Sequence, residues 1–347
     1  MHDSPARSPL MISALTVATG VCGAVAGWAL GIPAAFLLGP ALAVTALSLT
    51  GLKMGIADGL RDSCMVALGL GIGAGFTAQS GAAFLRWPLA FLVLSVMLIL
   101  TVLACRVVLE RVFDFDRHSA GLAAIPGHLS LVIGIAAETG ADVGRIALVQ
   151  TIRVLALTLT VPFAALALGI RMQASVMPAG VPMQPAHLGA LTLVGIGLGL
   201  VLRRFALPAP MLLGPLAVSA LGHVAGLTPG AVPSEIMVAA FVVLGSLIGS
   251  RFSGMTPAQF RSGLLAGLAT TCIAVCMAAL AALPVAASLD MPVAHVLTAF
   301  GPGGLETMVA LGAAMGASPG FVTACHVMRL LILSVLITVS IRQSRQT

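Results

Sequence analysis

Nine residues, Phe300-Gly301-Pro302-Gly303-Gly304-Leu305-Glu306-Thr307-Met308, carry the densest chemical signal in the chain. A proline and three glycines interrupt any helix there, and a lone carboxylate follows within a long apolar region. Charge in such surroundings is costly, so a carboxylate there marks a functional site by default. A helix restarting at Leu305 leaves the N–H groups of Gly303, Gly304 and Leu305 unpaired and aimed at whatever lies before it. That arrangement suits an anion. A second break, Ile125-Pro126-Gly127-His128-Leu129-Ser130, lies 176 positions earlier (302 − 126).

Each break is followed by a buried-type helix carrying an arginine, Arg153 after the first and Arg329 after the second. Gln150 and His326 stand three residues before them and share their helix faces. Two roles are open. The arginines, with Pro126, Gly127, His128, Ser130, Pro302, Gly303, Gly304 and Thr307, form the wall of a solute site and bind the anion or a hairpin carbonyl; or they cap the C-terminal ends of the dipping helices or pair with Glu138 and Glu306. Glu306 is a candidate proton carrier, with Glu138 as a second coupling residue; the alternative is a carboxylate favoured by the first turn of its helix. His128 occupies the register position of Gly304, where a lone histidine is more often packing than ligand. The seven histidines are scattered, without His-x-x-x-His or acid–histidine pairs, so no metal centre and no cofactor is expected beyond Na⁺ or H⁺ as a coupling ion.

The elements that position these residues follow from composition. The chain has 347 residues, 59% hydrophobic and only 8% charged, and a mean hydropathy of +1.12. A soluble domain carries about 25% charge. No charged residue occurs between Ser8 and Leu52, enough for two spans at about 20 residues each. The expectation is an all-α polytopic integral membrane protein, since a transmembrane barrel would show alternating polarity. The net charge of +6 sits in short gaps between apolar runs, so direct nucleic-acid binding is not expected. The six cysteines, Cys22, Cys64, Cys105, Cys272, Cys276 and Cys325, read as small buried residues. Ala24-Val25-Ala26 resembles a signal cleavage site, but another apolar run starts at Pro33, so the first helix is expected to stay.

Clean spans are expected near 10–30, 33–51, 63–79, 87–109 and 145–170, with a polar stretch at Lys53–Asp62 and the broken segment at 119–140. A Pro-bearing linker, 172–186, separates the repeat 1–171 from the repeat 187–347. The second repeat has spans near 187–201, 209–226, 234–250, 262–288 and 320–341, with its break at 291–316. Gly69, Gly71, Gly73 and Gly75 do not make a nucleotide loop, because no strand precedes and no Lys-Ser or Lys-Thr follows. At i and i+4 they let helices approach closely in lipid. Pro33 matches Pro208, and Leu37-Leu38-Gly39-Pro40 matches Leu212-Leu213-Gly214-Pro215, at an offset of 175. Gly73 and Gly249, Pro126-Gly127 and Pro302-Gly303, Gly140 and Gly316, and Arg153 and Arg329 match at 176. So many glycines, prolines and arginines in register indicate a tandem duplication.

The breaks decide the topology. If each dips in and returns, a repeat has five crossings and the repeats are inverted; if each crosses, it has six and they are parallel. With a cytoplasmic N-terminus, dipping segments put 13 of the 17 basic residues inside, leave Arg86 and Arg171 outside and keep Arg153 and Arg329 within the membrane. Crossing segments give 9 inside and 6 outside. The positive-inside bias favours the inverted five-plus-five plan with two re-entrant hairpins and both termini cytoplasmic. Broken backbone from two inverted halves meeting near the midplane is the recurring site design of secondary transporters.

The doubled Pro-x-x-x-Leu-Leu-Gly-Pro (33–40 and 208–215), the doubled Pro-Gly breaks and the Arg153/Arg329 helices resemble the AbrB-duplication membrane protein family. The match covers nearly the whole chain. Members carry labels as AbrB family transcriptional regulators, regulators of aidB expression, or ammonia monooxygenases. The resemblance implies a bacterial inner-membrane protein. The family pattern has Pro-Gly-Gly and then an acid in each half, whereas the first half here reads Pro126-Gly127-His128-Leu129-Ser130, so the halves are chemically unequal. The plan is also similar in architecture to sodium-coupled citrate and glutamate symporters. Together these point to a secondary transporter or exporter of a small anionic solute, with the bilayer as its other partner and a homo-oligomer left open. A regulator acting indirectly on gene expression is the alternative, and a membrane monooxygenase the weaker one.

Overall fold

A computed structural model of the chain describes residues 8–76, 87–127, 129–167, 181–205, 207 and 209–344. Its elements are helices: α1 (Pro9–Ala29), α2 (Ala35–Leu49), α3 (Asp58–Gly73), α4 (Pro88–Val112), α5 (Arg117–Ala124), α6 (Leu129–Thr139), α7 (Val143–Ala167), α8 (Pro185–Arg204), α9 (Pro210–Val224), α10 (Ser234–Ser250), α11 (Pro257–Leu289), α12 (Val293–Phe300), α13 (Leu305–Ala314) and α14 (Pro319–Ser344). Five of these, α1, α4, α7, α8 and α11, are long and apolar enough to cross a membrane. No strand occurs among the described residues. The third span differs from its expected bounds. It starts at Asp58, because Asp58, Arg61 and Asp62 form a first helical turn stapled by an Arg61–Asp58 ion pair of 2.9 Å.

Helix boundaries recur along the chain. The eight-residue helices α5 and α12 begin 176 positions apart (293 − 117), and α1/α8, α3/α10, α6/α13 and α7/α14 start at that same offset. α2 and α9 start 175 apart (210 − 35). The backbone follows suit. Among the described residues, the non-glycine residues with positive φ are Ala34 (50°) and Ala209 (45°), which open α2 and α9, and Asp114 and Asp290 (51° each), before α5 and α12. Left-handed backbone costs a residue with a Cβ about 1–2 kcal/mol, so packing must hold these corners in place.

Met1–Ala74 and Pro162–Arg261 form one compact unit; Gly75–Val161 and Ser262–Thr347 form another. Both cut across the sequence halves 1–171 and 187–347, and most of the linker 172–186 lies outside the described residues.

The first unit is held by glycine against backbone. A Cβ on Gly39 would fall on Gly23 O, and one on Gly69 on Leu212 O. Gly245 stands the same way on Leu37 O, and a Cβ on Gly73 or Gly249 would come within 2.6 Å of Leu216 O or 2.8 Å of Ala41 O. Thus α2 presses on α10 and α9 on α3, each Leu-Leu-Gly-Pro helix seating on a glycine helix from the other sequence half. Lipid gives no hydrophobic drive for such contacts, so close packing must supply it.

The second unit contains both breaks. Ser119 at the start of α5 accepts the Asp142 N–H just past α6 (2.9 Å), and His118 Nε2 meets Thr139 Oγ1 (2.8 Å). The start of α5 and the end of α6 therefore lie side by side, as the two legs of a helical hairpin. α12 and α13 also lie side by side, since a Cβ on Gly312 would stand 3.2 Å from Thr298 Cγ2. Arg145 adds a clamp at the base of the first hairpin, donating to Phe113 O (2.7 Å) and Asp114 O (3.1 Å) and covering the Phe115 ring at 3.8 Å.

The cysteines correct an expectation. Cys64, Cys105 and Cys325 are buried, but Cys22, Cys272 and Cys276 are exposed, since an apolar helix facing lipid presents its apolar residues outward.

Asp116 N-caps α5, accepting from the His118 and Ser119 N–H groups at 3.0 and 2.9 Å. Burial works to raise its pKa, but hydrogen bonds from Ser119 and His118 outweigh it and hold the carboxyl below its ordinary 3.8. A depressed folded pKa gives stability that is present above 3.8 and lost as pH falls through the lowered value. Asp116→Ala should therefore lose about 1 kcal/mol at neutral pH. The gap in unfolding midpoint between variant and wild type should close as the pH drops below the folded pKa, measured by thermal unfolding across an acid series.

Candidate functional site

The second break begins where Pro302 denies α12 a further N–H donor, and α12 closes with Gly301 N–H on Leu297 O at 2.7 Å. The chain resumes at Gly304, the N-cap of α13, whose first helical bond is Met308 N–H to Gly304 O (2.9 Å). Gly304 has no side chain to cap with, so the N–H groups of the first turn are left to other partners. Glu306 lies in that turn, half-buried; a Cβ on Gly304 would stand 3.3 Å from its Oε2. The carboxylate therefore folds back over the N-terminus of its own helix, where the dipole favours it. Pro302, Gly303 and Thr307 are buried beside it.

The first break takes a different course. α5 ends at Ile125, Pro126 follows buried, and Gly127 turns the chain with φ 91°, a left-handed value that favours glycine. Gly303, its counterpart in register, does not have positive φ. His128 lies outside the described residues, as does the side chain of Ser130.

Arg153 and Arg329 are among the largest fully buried side chains, 2% and 1% exposed. Arg153 Nη2 donates to Ile125 O (3.0 Å), and Gln150 Nε2 donates to Leu122 O (3.3 Å). Both acceptors belong to the C-terminal end of α5, where Leu122 O takes only a long bond from Ile125 N–H (3.4 Å) and Ile125 O lies past the last helical turn. Arg329 reaches across the second break, with Nη1 on Gly301 O and Nη2 on Gly303 O at 2.5 and 2.7 Å. The two arginine bonds to Ile125 and Gly301 span the same sequence separation, 28 residues. His326 departs from Gln150. It is fully buried, its Nδ1 meets Val322 O (3.0 Å), and its Nε2 has no partner among the described residues.

The arrangement thus brings each arginine onto the broken helix before it. It does not bring either onto a carboxylate. Among the described residues no ion pair joins Arg153 to Glu138 or Arg329 to Glu306, and Glu138 is exposed in the last turn of α6. Both arginines are buried without an ion pair among the described residues. Each keeps a buried Nε–H without a partner among the described residues. Carbonyl dipoles and helix C-terminal ends offset part of the cost of two buried cations, which is several kcal/mol per ion. The remainder leaves a positive, donor-rich region suited to an anion. No three His, Cys, Asp or Glu side chains converge among the described residues.

The sequence did not single out Leu122, Ile125 or Gly301 as acceptors, since every residue carries a carbonyl and only geometry selects one. Ser119 and Asp142, which close the first hairpin, had a faint signal in Asp116-x-x-Ser119, a capping residue ahead of a serine at the third helical position.

Arg329→Met should strip the partners from two buried carbonyls, and Arg153→Met from one. At about 1–3 kcal/mol for each orphaned group, Arg329→Met should lower the unfolding midpoint more than Arg153→Met. Arg329→Lys should recover part of that loss, and amide exchange at residues 301–308 should quicken in the order wild type, Lys, Met. Equal stability of Arg329→Met and wild type would show that these bonds do not hold the break.

The family model described as "Transition state regulatory protein AbrB" matches residues 36–345. The chain is similar to a protein of Escherichia coli (strain K12) named "Putative regulator AbrB", with 25% identity over 316 residues and 88% of each chain covered. It is also similar to "Uncharacterized protein YhjN" of Bacillus subtilis (strain 168), 27% identical over 265 residues, covering 70% of this chain and 68% of that one. A family match over most of the chain, on helices whose broken pairs and arginines recur in register, places this protein in the AbrB family.

Proposed function

We propose that the protein is a secondary transporter or exporter of a small anionic solute. It is built as a tandem duplication of inverted five-crossing repeats, each with one re-entrant hairpin, in a bacterial inner membrane with both termini cytoplasmic. The observation that carries this is the pair of fully buried guanidinium groups on broken helices, neither with a carboxylate at ion-pair distance among the described residues and each with a free Nε–H. An anion entering between the breaks offsets the buried guanidinium charges, and its departure restores their cost. That swing in energy suits a site that must load and release. Glu306, half-buried over the α13 N-terminus, is the residue whose protonation or Na⁺ binding couples to the anion. The repeated helix boundaries support the duplication, and the side-by-side legs of both broken segments support segments that dip and return. Broken backbone at membrane depth requires such protein-lined surroundings.

The name of the Escherichia coli relative and the family description favour a second reading, a role in regulation. In this architecture regulation follows from moving or sensing the solute, because the charge is spread through short gaps and not gathered on a basic face.

Two measurements test the proposal. Purified protein is screened by thermal shift against carboxylates, amino acids and Na⁺, and the stabilising anion is followed in proteoliposomes. Uptake should depend on a proton or Na⁺ gradient, Glu306→Gln should weaken that dependence, and Arg329→Lys should raise KM by about tenfold, the effect of losing about 1.4 kcal/mol of charge-assisted bonding. Uptake with unchanged KM in a folded Arg329→Lys protein overturns the site. Separately, cysteines placed at Leu129 and Gly304 in a cysteine-free background should label with impermeant reagents from opposite faces. Labelling from one face overturns the inverted plan.

A further inference from the structure

Two more polar atoms on α14, His326 Nε2 and Thr323 Oγ1, are buried without a partner among the described residues. The His326 ring is fully buried and Thr323 is 8% exposed. Other threonines of the second unit behave differently. Thr101, Thr158, Thr270 and Thr298 each donate the hydroxyl to the carbonyl four residues back, at 2.7–3.0 Å. In the first half, the register counterpart of Thr323 is Ala147, and Gln150 in place of His326 donates to Leu122 O. The two unpaired atoms are therefore no part of the duplicated plan.

Their position on the helix joins them to the breaks. With 3.6 residues per turn, His326 lies about 60° around α14 from Arg329 on one side and about 40° from Leu330 on the other. Arg329 holds the second break through Gly301 O and Gly303 O. Leu330 meets the first break, since a Cβ on Gly127 would stand 3.7 Å from Leu330 Cδ2. His326 thus stands on the strip of α14 between its contacts with the two breaks, about one turn earlier. Thr323 is its neighbour at i−3.

One hydrogen bond fixes what the ring can bind. Val322 O only accepts, so Nδ1 carries the proton of the neutral ring and Nε2 presents a lone pair. A buried acceptor without a donor is costly, and a ligand that brings a donor recovers that cost. Arg329 Nε–H, one turn on, is a donor without an acceptor among the described residues. The complement is a molecule with an anionic oxygen and a hydrogen-bond donor close to it. An ammonium would add a cation beside the buried Arg329 guanidinium, and a ketone has no proton to give. A hydroxyl meets both demands, donating to Nε2 and accepting from Thr323 Oγ1.

We propose that the solute is a small hydroxycarboxylate, its carboxylate on Arg329 and its hydroxyl between His326 Nε2 and Thr323 Oγ1. The inference deepens the transport reading and rests on it for the anion at Arg329. His326 and Thr323 then determine specificity, because an analogue without the hydroxyl leaves both atoms buried and unpaired.

The test is thermal shift and calorimetric titration of the purified full chain with two sets of probes. The first is lactate, pyruvate, propionate and alanine; the second is malate, succinate and aspartate. Lactate or malate should bind about tenfold tighter than the rest of its set, as expected for one added buried hydrogen bond. His326→Phe keeps a planar ring without the lone pair and should bring that ratio to about one. Thr323→Val removes a hydroxyl that no bond among the described residues uses, so it should fold, and it should lower the ratio about threefold. Equal binding within both sets, tighter binding of the keto or amino acid, or no binding of either hydroxy acid overturns the proposal. So does a preference that survives both substitutions, or a His326→Phe protein that weakens every member of a set alike, the mark of a structural histidine. Transport fails separately. A hydroxy acid bound with the His326-dependent preference but not moved in proteoliposomes removes transport and leaves this site standing. Uptake of propionate or succinate as readily as lactate or malate does the reverse.

Discussion

A helix that stops inside an apolar protein leaves carbonyls that water cannot reach, and the second unit is organised around that constraint. Each orphaned buried carbonyl costs about 1–3 kcal/mol. Arg153 and Arg329 answer it, donating to Ile125 O and to Gly301 and Gly303 O. Arginine suits this task because its fork stays charged and offers five donors in a fixed geometry. The same choice buries two cations, and the Nε–H of each is left without a partner among the described residues.

The first unit solves a different problem. Its helices lie against lipid with apolar side chains on both faces, so burial alone cannot choose partners. Glycine does, by letting a backbone carbonyl of the neighbour fill the space of a Cβ, as at Gly39 on Gly23 and Gly69 on Leu212. The pairing of α2 with α10 and α9 with α3 ties Met1–Ala74 and Pro162–Arg261 into one unit. A frame fixed in this way contrasts with the second unit, where broken helices carry buried polar groups and half-buried acid.

The two breaks are alike in plan and unlike in chemistry. Gln150 spends its amide on Leu122 O, while His326 keeps Nε2 unpaired among the described residues. Gly127 needs left-handed backbone, and Gly303 does not. Only the second break has an acid in the first turn of the following helix.

The sequence by itself determined where helices start and stop, which segments break, and that Arg153 and Arg329 hold equivalent positions. Those features follow from local rules: proline removes a donor, glycine frees φ, and apolar runs have a length set by the bilayer. Even there the start of α3 escaped, because a charged first turn looks like a loop until its i,i+3 pair is seen. Only the tertiary structure decided that the arginines serve carbonyls instead of Glu138 or Glu306, that Cys22, Cys272 and Cys276 face outward, and that each compact unit draws on both sequence halves. Which group a long side chain reaches, and which face a wholly apolar helix turns to its neighbour, depend on distances between remote segments, and no residue-by-residue pattern encodes them.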